Sequence, residues 1–207
     1  MKLKLKKMSE KIPQGELKIS ILGDDGVGKH TIINSILEEN DRMSIDSSHI
    51  GMEIKKYNIN ILINKENNNF NIEFRIISGQ ERDKGVTQEI YKKVDCFIIV
   101  YDISNKESYK NIKLWYNNIK KNSNSKDYLI CVIGNKISSN REVDFNEAQK
   151  VCNNNNFLYY EYDIKKNNFE KIVKDFIPKI KQKKKGELKF EKDDSVNCCG
   201  DDKCFCF

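Results

Sequence analysis

Short apolar runs alternate with longer amphipathic stretches along the chain. Leu17 to Leu22 leads to an amphipathic stretch over Lys29 to Leu37, Cys96 to Tyr101 to one over Glu107 to Lys121, and Tyr128 to Ile133 to one over Asn146 to Cys152. Repeated strand-then-helix units predict a mainly parallel sheet covered by helices on both faces. Tyr57 to Ile63 and Phe70 to Ile77 instead alternate apolar with polar residues across an Asn-rich connection, the pattern of an antiparallel hairpin. A last strand over Phe157 to Tyr162 precedes a helix around Phe169 to Ile180. The predicted class is α/β: a six-stranded, mostly parallel sheet with one antiparallel strand.

The length of 207 residues suits one domain with tails. We divide it into a basic N-terminal extension (1–15), a domain (16–181) and a flexible tail (182–207), where apolar residues become sparse. A net charge of +6 is modest beside the basic patch of a dedicated nucleic-acid binder, so no nucleic-acid partner is expected. Hydrophobic residues make up 38%, diluted by 25 Asn and 33 Lys, and tracts such as Asn67 to Asn69 and Asn153 to Asn156 are expected in loops without function. The basic start, Met1 to Lys7, is followed by no apolar signal region, and no run approaches the roughly 20 residues that span a bilayer. A cytosolic chain is expected, with Cys96, Cys131 and Cys152 as reduced core residues.

Chemistry begins directly after the first strand. Gly23-Asp24-Asp25-Gly26-Val27-Gly28-Lys29-His30 fits G-x-x-x-x-G-K between a strand and a helix. The glycines let the backbone form a nest of N–H donors around phosphate oxygens, the helix N-terminus adds its positive end, and Lys29 reaches the outer phosphates.

With Ile50-Gly51-Met52-Glu53, Ser78-Gly79-Gln80-Glu81-Arg82, Val100-Tyr101-Asp102-Ile103 and Gly134-Asn135-Lys136 following in order, the chain from about Leu17 to Ile180 resembles a Ras-like small GTPase of the Rab family. Gly134-Asn135-Lys136-Ile137 followed by Asn140-Arg141-Glu142-Val143-Asp144 and Asn146-Glu147 is most similar to the Rab branch associated with endoplasmic reticulum and lipid droplets. The resemblance implies GTP or GDP as ligand, with Asp25, Gly26, Val27, Gly28, Lys29, His30 and Thr31 around the phosphates and Gly79 sensing the outermost one. It implies Asn135, Lys136 and Ser138 at the base, assisted by the Ile164 N–H and by Lys165, with Gln80 orienting the attacking water. It also implies two switch loops (Met43 to Glu53, Ser78 to Tyr91), effector and regulator proteins of Rab type, and the cytoplasmic face of an intracellular membrane such as endoplasmic reticulum, Golgi or lipid droplet.

Three departures fall on the family's Mg²⁺ shell: His30 follows the lysine where a Ser or Thr belongs, His49 replaces the switch threonine, and Ile76 replaces an aspartate. Mg²⁺ requires hard oxygen ligands, which imidazole and an aliphatic chain do not offer. Thr31 is one place along, but a one-residue shift turns a helical side chain by about 100°; Ser48, on a loop, is less constrained. Loss of Mg²⁺ is the plain expectation, and a softer ion such as Zn²⁺ on His30 and His49 the alternative. Ser138 replaces the base-binding aspartate, a loss of two hydrogen bonds worth about 1.5–3 kcal/mol each, which weakens guanine selectivity. Gln80 is then either the water-orienting residue or an exposed glutamine on a loop.

The chain ends Cys204-Phe205-Cys206-Phe207, a C-a-a-X pattern of the geranylgeranyl type on Cys204. A second lipid on Cys198, Cys199 or Cys206, and Lys181, Lys183, Lys184 and Lys185 facing anionic lipid, would complete an anchor; a thiol cluster and a solvated helix end are the plainer alternatives. Three functions follow: a membrane-tethered GTP-binding switch with weak or lost hydrolysis, a docking module that no longer switches, and a basic binder whose phosphate loop is a relic.

Overall fold

The computed structural model describes residues 15–38, 44–49, 52–63, 65–78, 88–136, 140–165, 169–186 and 188, with backbone alone at 37–38, 44–49 and 88–89. Seven strands form one sheet: β1 (Gly15–Leu22), β2 (Ser44–His49), β3 (Met52–Ile63), β4 (Glu66–Ile77), β5 (Cys96–Asp102), β6 (Leu129–Asn135) and β7 (Leu158–Tyr162). Their order is β2-β3-β4-β1-β5-β6-β7. β1 lies parallel to both β4 and β5, and β5, β6 and β7 continue in parallel. Among the described strands only β3 runs against the rest, pairing antiparallel with β4 and with β2.

All six expected strands are therefore present, and a seventh is added. β2 lies within the segment expected to be a switch loop, and pairs with the start of β3 from Ser44 opposite Lys56 to His49 opposite Met52. Its sequence, Ser-Ile-Asp-Ser-Ser-His, has too little apolar alternation to announce a strand; the open edge of β3 supplies the partner. The Asn tract at 67–69 is also not a loop. Ile63 pairs with Glu66, Lys65 takes φ 67° just before that rung, and Asn67 to Asn69 are rungs of β4 opposite Leu62, Ile61 and Asn60.

Helices cover both faces. α1 (Lys29–Glu38) and α5 (Phe169–Lys184) pack on one, through Ile32, Ile33, Ile36, Phe169, Val173, Phe176 and Ile177. α2 (Lys106–Lys110), α3 (Ile112–Asn122) and α4 (Phe145–Asn154) cover the other, through Tyr109, Ile112, Trp115, Ile119, Ala148 and Cys152. The helix expected over Glu107 to Lys121 is split at Asn111. Asn105 and Asp144 cap α2 and α4, each accepting two backbone N–H bonds. Cys96, Cys131 and Cys152 are buried free thiols, and burial raises each thiol's pKa, which keeps them inert. Among the described residues no helix is long and apolar enough to cross a membrane.

Candidate functional site

The C-terminal edge of β1, β5, β6 and β7 gathers the residues singled out in the sequence. Gly23 follows β1 with φ 141°, and a Cβ there would stand 2.3 Å from the Val100 carbonyl oxygen, so the loop leaves the sheet where only glycine fits. Gly26 (φ 74°) and Gly28 (φ 92°) are left-handed, giving the turn that brings the chain into α1 at Lys29. Lys29 is only 4% exposed and donates from Nζ to the carbonyls of Gly23 (2.8 Å) and Asp24 (2.7 Å). Burial lowers its pKa, partly offset by the carboxylates of Asp25 and Asp24. Two of its three donors therefore brace the loop, and an ammonium has a third to offer a phosphate.

The second wall comes from β6. Asn135, 5% exposed, donates from Nδ2 to the Val27 carbonyl at 2.8 Å, joining the expected base-recognition segment to the phosphate loop. Lys136 takes φ 67°, which costs a non-glycine residue on the order of 1 kcal/mol, and its Nζ lies 2.6 Å from Asp102 Oδ2 at the end of β5. Burial pushes the Asp102 carboxyl up, but the hydrogen bonds and charge of Lys136 and the bonds from Ser104 outweigh this and hold it below the usual carboxylate range. Beyond β7, the Asp163 carboxylate accepts the Lys165 N–H at 2.9 Å, fixing the turn that presents Ile164, whose side chain is 55% exposed.

At the first position of the expected metal shell, His30 Nε2 is 3.0 Å from Glu53 Oε2 on β3. Glu53 Oε1 is 3.0 Å from Lys55 Nζ, which also donates to Asn34 Oδ1 at 2.5 Å. A polar chain thus ties the front of α1 to β3. Ile76 is 1% exposed within the core shared by Val27, Ile32 and Ile33. The shell positions at 30 and 76 thus hold an imidazole placed against the Glu53 carboxylate and a packed aliphatic chain. No group of three or more His, Cys, Asp or Glu is placed to hold a metal among the described residues.

Comparison with known proteins agrees with this arrangement. The Ras family pattern matches residues 18–182. The chain belongs to the Ras family. Within it the chain is Rab-like: it is 30% identical over 174 residues to Ras-related protein Rab-11C of Dictyostelium discoideum, covering 81% of this chain and 75% of that protein. It is 29% identical over 167 residues to Ras-related protein Rab-18 of Lymnaea stagnalis (78% and 80%), and 30% identical over 152 residues to Rab-2B of Dictyostelium discoideum (72% and 71%).

For this Ras-family chain the structure unites Asp25 to Thr31 with Asn135, Lys136, Ile164 and Lys165 at one edge of the sheet. Gly79, Gln80, Ser138, the His49 side chain and Cys198, Cys199, Cys204 and Cys206 lie outside the described residues. Four residues with a part in the site were not singled out from the sequence for the roles they take. Asp24 accepts from Trp115 Nε1 (2.9 Å) and Asn111 Nδ2 (2.6 Å), turning its carboxylate toward α3 and pinning the loop where the helix breaks. Asp102 anchors Lys136, Asp163 shapes the last turn, and Glu53 captures His30. The sequence signal for Asp24 and Asp102 was their place beside strand ends; for Glu53 there was none.

Proposed function

We propose that this Ras-family chain is a Rab-like GTP- and GDP-binding protein of intracellular vesicle traffic, tethered to the cytoplasmic face of a membrane through prenylated Cys204, and that it holds nucleotide chiefly by the phosphates. The observation that carries this is the buried Lys29 beneath a loop whose glycines at 26 and 28 are left-handed, with Asn135 bonded to the same loop. Phosphate oxygens fit the nest by charge and by donor supply: loop N–H groups, the first turn of α1 and the third Lys29 donor. Asn135 and Lys136 would border the base, with Ser138 in place of a carboxylate that accepts two bonds. Selectivity for guanine is correspondingly weak in this reading.

Mg²⁺ contributes charge at the outer phosphates in such proteins. His30 and Ile76 do not fit that ion, so we assign it no step, and hydrolysis through Gln80 is proposed to be very low. Effector and regulator proteins of Rab type are the proposed partners. The decisive measurement is the nucleotide retained on the purified full chain, with and without Mg²⁺. Retained guanine nucleotide that is insensitive to chelation supports the reading, and a nucleotide-free chain that GTP cannot load removes it.

One observation favours a second reading, a docking module that no longer switches. The chain His30, Glu53, Lys55, Asn34 fastens β3 to α1 through protein side chains alone. A Rab-like surface held this way would present one conformation to its partners in both nucleotide states. Identical proteolysis patterns with GDP and a non-hydrolysable GTP analogue would select it over the switch.

A further inference from the structure

At the end of the sheet opposite the nucleotide site, the structure carries a cavity of about 510 Å³. One wall is the last turns of α3, with Tyr116 and Lys120; a second is the connection into β6, with Ser123, Ser125, Lys126 and Tyr128. The turn between α4 and β7 adds Asn155, Asn156 and Phe157, and Lys183 from the last turn of α5 closes the side. β6 runs seven residues from Leu129 beside this cavity to Asn135 at the phosphate loop, so the two sites stand about 20 Å apart.

Its chemistry is specific. Among the described residues three lysines and no carboxylate line it, so an anion entering meets the attraction of the lysine side chains. Part of the lining is aromatic: Tyr116 and Phe157 pack edge-on with ring centres 4.8 Å apart, Tyr128 packs edge-on against Phe97 at 5.1 Å, and Lys120 Nζ stands 4.8 Å over the Tyr116 ring. Hydroxyl and amide groups of Ser123, Ser125, Asn155 and Asn156 supply both donors and acceptors. The volume exceeds what a single phosphate fills. Lysines for phosphates, flat rings for a ring face and neutral hydrogen-bonding groups for hydroxyls together describe a phosphorylated polyol.

We propose that this cavity binds a multiply phosphorylated inositol ring. Its position says how the ring would arrive. Lys183 belongs to the last turn of α5, and from there the chain continues toward Cys198, Cys199, Cys204 and Cys206. A lipid headgroup is thus favoured over a free inositol phosphate, a preference that rests on the membrane attachment proposed above; the cavity's affinity for the ring does not.

The test uses the purified, unlipidated full chain. Calorimetric titration with inositol trisphosphate is expected to show binding that Lys120→Glu and Lys126→Glu each weaken about tenfold or more. Lys106→Glu, an equal charge change at the other end of the sheet, should leave it intact. Lys120 and Lys126 are both exposed, and circular dichroism with bound-nucleotide content checks that each variant is folded. In flotation assays, vesicles of phosphatidylcholine with phosphatidylinositol bisphosphate should capture the chain better than charge-matched phosphatidylserine vesicles, again dependent on Lys126. Trisphosphate binding without vesicle discrimination would support the cavity and overturn the lipid source. No trisphosphate binding, or binding indifferent to Lys120 and Lys126, overturns the site, whether or not nucleotide is retained.

Discussion

The Asn135 side chain donates to the Val27 carbonyl at 2.8 Å, and the Gly28 Cα faces the same amide so closely that a Cβ would stand 2.3 Å from Nδ2. Two segments 108 residues apart in sequence are locked into one wall by a single buried bond. Asn135→Ala should therefore loosen phosphate and base contacts together. The lost bond and the stranded carbonyl cost about 1–3 kcal/mol, seen as faster nucleotide release and a lower melting temperature. Gly28→Ala, which combines the clash with a φ of 92°, should abolish nucleotide retention; near-native release from either variant would deny the bond its role.

Base selectivity gives a second expectation. Ser138→Asp restores an acceptor of two charge-assisted bonds and should raise the preference for GTP over ATP by roughly 10² to 10⁴. Competitive titration of both nucleotides measures it. A native chain that already prefers guanine a thousandfold would refute the proposed weakness.

Metal dependence is the third. With His30 paired to Glu53 and Ile76 inside the core, chelating Mg²⁺ should change nucleotide affinity by less than about tenfold, or ~1.4 kcal/mol. His30→Ser combined with Ile76→Asp should create Mg²⁺ sensitivity while lowering stability without metal, because a carboxylate would enter an apolar core. A large saturable Mg²⁺ effect on the native chain would return it to ordinary metal-dependent binding.

The Asp102 and Lys136 pair makes stability depend on pH with a definite sign. Asp102 titrates below its usual range when folded, so the unfolded chain binds its proton more readily. The pair's contribution is complete above the unfolded value of about 3.9 and disappears as pH falls through the lower folded value. Asp102→Asn should flatten the acid limb of the stability curve below about pH 4, as followed by urea unfolding at several pH values; an unchanged acid limb would remove the pair from the account.

Membrane attachment is tested at Cys204. At about 0.8 kcal/mol per buried methylene, a prenyl chain outweighs the lysines. Cys204→Ser should shift the protein to the soluble fraction of cells, and neutralising Lys183, Lys184 and Lys185 should only weaken binding. Mass spectrometry of the C-terminal peptide distinguishes one lipid from two, and an unmodified peptide from membranes would exclude the anchor.

The sequence by itself determined the order of six strands and the phosphate loop, because both are local: apolar alternation sets which face is buried, and glycine at 23, 26 and 28 sets the backbone that turns so tightly there. Its α/β class, the single reversed strand and the buried thiols follow from that same periodicity. What it did not determine depends on partners remote in the chain. β2 is a strand because β3 offers it an open edge, and the Asn tract at 67–69 pairs because Asn60, Ile61 and Leu62 lie opposite. Asp24 reaches Trp115 across 91 residues and Lys136 reaches Asp102 across 34. His30 reads as a lost metal ligand in one dimension and becomes the neighbour of the Glu53 carboxylate only once β3 lies against α1. Short-range sterics write the elements into the chain, whereas charge pairing at the sheet edge and the lysine-lined cavity require side chains that only the assembled sheet brings within reach.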